Sequence, residues 1–86
     1  MSSVEDVKLR VAATVSQTGD ALIRLRAVGQ TFDEALTMLR LTAAGTVSPT
    51  LIDAISKLEQ ARERLNEAHT LATGAIGDAD AWRATA

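Results

Sequence analysis

Residues 39–55 read LRLTAAGTVSPTLIDAI. Whether the chain runs straight through this stretch or doubles back decides the fold. Gly45 is able to take the left-handed conformation that ends a helix. Ser48 is a strong N-cap, and Pro49 suits the first helical position, where its missing N–H is no loss. Stop and start signals this close together imply a short connection, and short connections set helices antiparallel.

Apolar residues recur at helical spacing on both sides of the turn. Before it come Val4, Val7, Val11, Val15, Leu22, Leu25, Val28, Phe32, Leu36, Leu39 and Ala43. After it come Leu51, Ala54, Ile55, Leu58, Ala61, Leu65, Ala68, Ala72, Ala75, Ile76, Ala79 and Trp82. The first series steps by three, four or seven, and the second recurs at helical spacing with two adjacent pairs, the signature of one helical face in each arm. The expected fold is all-α: an antiparallel helical hairpin of two long helices in one domain spanning 1–86. Arm one covers about 3–44, the turn about 45–48, and arm two about 49–76 with a frayed C-terminus. Ser2-x-x-Glu5 reads as a capping box at the start of arm one. Gly29, followed by Thr31-x-x-Glu34, marks a kink or a break into a third short helix, with the kinked but continuous helix favoured. If the backbone is helical there, Gly29→Ala should stabilise by up to about 1 kcal/mol, and if φ is positive it should destabilise. Gly74 and Gly77 are the reason to expect fraying.

Leu at 51, 58 and 65 alternates with Ala at 54, 61, 68 and 75, a pattern that lets two helices approach closely and reads as the hairpin's internal seam. Arm one carries more apolar surface than one seam needs. Leu9, Ile23, Met38 and Leu41 fall off the main stripe, and a helix apolar on several sides wants several neighbours. A chain of 86 residues buries only about 60–65% of its unfolded surface. It contains no cysteine to add a disulfide or thiolate ligand. Oligomerisation is the remaining route to stability. The expected assembly is a homodimer forming a coiled-coil-like four-helix bundle, or a complex with another helical protein. The predicted interaction face is Leu9, Ile23, Met38, Leu41 and Trp82, although Trp82 reads first as a cap on the open end, near Val4 and Val7.

The charges suit a solvated surface. Asp6 with Arg10, Asp20 with Arg24, and Asp53 with Lys57 are spaced for i,i+4 pairs, and Glu59 with Arg62 and Arg64 with Glu67 for i,i+3 pairs. A net charge of −2 with scattered basic residues argues against a nucleic-acid surface. Arg24, Arg26, Arg62 and Arg64 would be the phosphate contacts if there were one. No apolar run reaches the ~18 residues of a membrane span, and MSSVEDVKLR lacks the apolar core of a cleaved signal. A cytoplasmic location is expected, with export lacking a cleaved signal as the alternative.

Catalytic chemistry has little to stand on. His69 is the one histidine, and the residue three before it is Asn66 rather than the carboxylate of a di-iron motif. The glycines are dispersed and make no phosphate loop. No catalytic residue, cofactor, metal ligand or small-molecule substrate is assigned. The abundance of alanine and threonine, with arginine used over lysine, is a bacterial compositional trait.

An acidic, cysteine-free helical hairpin of this size resembles the WxG-type small substrates of type VII secretion. The resemblance implies two antiparallel helices, dimeric four-helix bundles and export. The Trp-x-Gly of that family is replaced here by AAGTVSPT, and the residues after Trp82 read Arg83, Ala84, Thr85, Ala86 with no acidic export signal. No family residue carries over. The sequence thus supports a helix-mediated interaction module first, a secreted hairpin substrate second, and a small nucleic-acid-associated regulator third.

Overall fold

A computed structural model describes residues 3–86. Two helices make up the fold: α1, Val4–Ala43, and α2, Pro49–Thr85. They pack side by side as a rod of 64 × 20 × 15 Å.

Each start is capped by a serine. At α1 the box is Ser3 with Asp6: the Ser3 hydroxyl accepts from the Asp6 N–H at 3.1 Å and Asp6 Oδ2 accepts from the Ser3 N–H at 3.4 Å. The box expected at Ser2 falls on a residue outside those described; the observed one lies one position later. At α2 the Ser48 hydroxyl accepts from the Leu51 N–H at 3.3 Å, with Pro49 opening the helix. The end of α1 departs from expectation. No glycine has positive φ. The chain leaves through Ala44 in right-handed conformation, with Gly45 N–H donating to Thr42 O and Thr46 N–H to Ala43 O. Tightened i→i−3 bonds therefore absorb the last carbonyls without a left-handed residue.

The interior glycines break nothing. α1 is one helix through Gly19 and Gly29, and α2 runs to Thr85, past the frayed end expected near residue 76. One glycine costs a helix only about 1 kcal/mol relative to alanine, and neighbouring turns outweigh that. Threonines are accommodated by bonding back one turn. Thr18, half-buried, donates to Thr14 O at 2.8 Å, and Thr14, Thr31, Thr37, Thr42 and Thr73 do the same to their own i−4 carbonyls.

The seam in α1 is a strict alternation of fours and threes: Val11, Val15, Thr18, Leu22, Leu25, Gly29, Phe32, Leu36, Leu39 and Ala43 are all buried or half-buried. That is the heptad pattern of a coiled coil. In α2 the matching series is Leu51, Ile55, Leu58, Arg62, Leu65, His69, Ala72, Ile76, Ala79 and Arg83, all half-buried. The alanine row follows this seam only as far as Ala61; Ala68 and Ala75 are exposed. Three of the seam positions are polar, Arg62, His69 and Arg83, whose long or planar side chains have enough apolar body to pack while their polar ends reach water.

Candidate interaction surface

Burial between the two helices is thin. Among the described residues Leu36 is the one buried apolar side chain, at 4% exposure. Side-chain size tapers along the seam. Near the turn, Leu36 and Leu39 share the interface with Leu51, Ile55 and Leu58; toward the open end the shorter Val11, Val15, Thr18, Ala72 and Ala79 take most seam positions, with Ile76 and Arg83 among them.

Midway, the seam is polar. Gly29 is buried because the Arg62 side chain lies across it: a Cβ on Gly29 would stand 2.9 Å from the guanidinium carbon. Arg62 donates from Nε to Asp33 Oδ1 at 2.8 Å, from Nη2 to Asp33 Oδ2 at 3.2 Å, and from Nη1 to the Asn66 side-chain oxygen. The two-pronged bond from Arg62 holds the Asp33 carboxyl below its ordinary 3.8, and the carboxylate in turn raises Arg62. One heptad after Asp33, Arg40 bridges to Glu59 at 3.4 Å. Arg26, one heptad before, lines a shallow hollow of about 170 Å³ with Leu25, Arg62, Leu65, Asn66 and His69. One broad face of the hairpin therefore carries the cross-helix ion pairs. Of the intrahelical pairs expected from spacing, only Arg64–Glu67 forms among the described residues, at 3.0 Å. Glu59 and Arg62 are drawn across to the other helix instead.

The other broad face carries an open apolar groove near the tips. A groove of about 350 Å³ lies between the helices toward the open end, walled by Val7, Val11, Val15, Ala75, Ile76 and Ala79, with Arg10, Thr14 and Thr18 along it. It exists because alanines face valines there, too short to meet across the gap. Trp82, 41% exposed, sits one heptad beyond Ala75 and so on nearly the same side of α2. Leu71, one turn before Ala75, is also exposed.

The five residues expected to form an interaction face are all exposed: Leu9 and Ile23 at 70%, Leu41 at 68%, Met38 at 65% and Trp82 at 41%. The structure does not gather them. Leu9, Ile23, Met38 and Leu41 fall on one side of α1 by their spacing, strung over roughly 48 Å, and Trp82 stands on the other helix. Sequence reading missed the groove. Its signal was the change from Leu to Ala at seam positions 72 and 79, opposite valines.

Among the described residues there is no group of three or more His, Cys, Asp or Glu side chains placed to hold a metal, and no helix long and apolar enough to cross a membrane. No protein-family model matches the chain, and no curated protein or solved structure shows significant similarity to it.

Proposed function

We propose that this hairpin is a non-enzymatic, helix-mediated interaction module that acts by self-association, two copies making a four-helix bundle. The observation that supports it is surface. The chain exposes 6322 Å². A compact folded protein of 9.1 kDa would expose about 4,900 Å². The excess, about 1,400 Å² per chain, is more than the ~800 Å² each partner gives to a standard interface. With one buried apolar side chain among the described residues to hold two helices of 40 and 37 residues together, a second pair of helices supplies the missing core.

The nucleic-acid reading gains nothing from the geometry. Arg62 and Arg64 are tied to Asp33 and Glu67, and the other two candidates, Arg24 and Arg26, stand two residues apart on α1 and so point in different directions. The export reading rests on the hairpin shape alone.

Light scattering combined with thermal melts over a wide concentration range tests self-association. A mass near twice that of the chain, with a melting temperature that climbs with concentration, is the expected result. A concentration-independent monomer with a cooperative melt would remove the proposal.

A further inference from the structure

We propose that Trp82 of one copy seats in the apolar groove between α1 and α2 of a second copy, reciprocally, so that the self-association proposed above is built at the open end of the hairpin. The proposal rests on that self-association and adds its site, its anchor and its symmetry.

Four observations lead to it. The groove is apolar and about 350 Å³, ample for an indole, since an apolar cavity of about 150 Å³ already admits benzene. Trp82 lies on the same side of α2 as Ala75 in the groove wall, roughly 10 Å further along the helix. A two-fold axis lying over the groove face, perpendicular to α2 and level with the midpoint between them, lays each Trp82 on the other copy's Ala75, so one operation fills both grooves. That is the self-complementary arrangement a two-fold dimer requires. It also sets a large residue on a small one, as close helix packing demands.

Charge agrees with this placement. Arg10 at the groove rim and Asp78, one turn before Trp82, have no ion-pair partner among the described residues. The same axis brings the second copy's Asp78 to the level of Arg10. On the opposite broad face the cross-helix pairs Asp33–Arg62 and Arg40–Glu59 already engage four of the charges. Finally, the occupant has to cover an excess of about 1,400 Å² on every chain, which a second copy does for both molecules at once.

The single tryptophan makes the test direct. Sedimentation equilibrium and Trp82 emission are followed against concentration for wild type, Trp82→Ala, Ala75→Glu, and an equimolar mixture of the two variants. Circular dichroism checks that each is helical; Ala75 is exposed, so Ala75→Glu is not expected to disturb the hairpin. Wild-type emission should move to the blue as dimer forms. Each variant alone should lose affinity at least about 30-fold, the loss expected for an interface anchor. The mixture should recover part of it, because Trp82 on the Ala75→Glu copy meets the intact groove of the Trp82→Ala copy, and the emission should again shift blue. Two variants that dimerise like wild type would overturn this interface while leaving self-association standing. A mixture with neither association nor blue shift would overturn the reciprocal seating. A wild type that stays monomeric throughout would remove both proposals.

Discussion

Arg62 owes its place in the seam to the residue that faces it. At Gly29 the backbone is helical, so alanine would ordinarily be the better residue by about 1 kcal/mol. Here the methyl group would push the guanidinium away from Asp33. Gly29→Ala should therefore stabilise less than Gly74→Ala, whose Cβ meets nothing within 4 Å. In an Arg62→Ala background the full benefit at position 29 should return. Thermal melts of the four proteins measure this coupling, and equal gains at 29 and 74 in the wild-type background would contradict it. The same contact carries a pH signature. The folded Asp33 carboxyl titrates below its unfolded value of 3.8 because Arg62 bonds its charged form. The contribution to stability is thus complete above that value and disappears as pH falls through the lower, folded one. Melts of wild type and Asp33→Asn from about pH 7 down to about pH 2 should show a constant gap that closes only at the acid end.

At the scale of the helices, caps outweigh interruptions. Gly74 and Gly77 sit in open space within α2 without ending it. Replacing either with alanine should add about 0.5–1 kcal/mol, or several degrees in melting temperature. Ser48→Ala should cost about 1 kcal/mol by stranding the Leu51 N–H. The turn and both helices were legible in the sequence because Ser48, Pro49 and the apolar spacing state them locally. The path of the seam along α2 was only half legible. Ranking residues by hydrophobicity selects Ala61 over Arg62 and Ala68 over His69. The unbroken four-three spacing from Leu51 to Arg83 selects the reverse, and the structure follows spacing. The contact of Arg62 with Gly29 and Asp33 was hidden for a further reason: Gly29 looks like a flaw until the residue across from it is known. Moving α2 by one heptad would set Arg62 against Leu22, far from Asp33, or against Leu36, whose side chain fills the space that Gly29 leaves for the guanidinium, so Gly29 and Asp33 together fix the alignment that leucines alone leave free.

For the whole molecule, the exposed apolar residues were readable one by one, whereas the groove was not. A groove belongs to two helices at once, and no window of sequence contains both walls. Its extended shape was equally absent from composition: the radius of gyration is 19.3 Å, against about 12 Å for a compact domain of this length. The taper of the seam has a mechanical consequence. Zipped tightly beside the turn and loosely at the tips, the hairpin behaves as a pair of tweezers sprung at Pro49. Its tips should part and close many times for each complete unfolding, so amide protons near Val11 and Ala75 should exchange with solvent long before those near Leu36 and Leu58. A second copy seated at the tips would clamp them. Exchange at the tips should then slow as protein concentration rises, while exchange beside the turn changes far less; uniform protection along both helices at low concentration would show that the tips do not breathe independently.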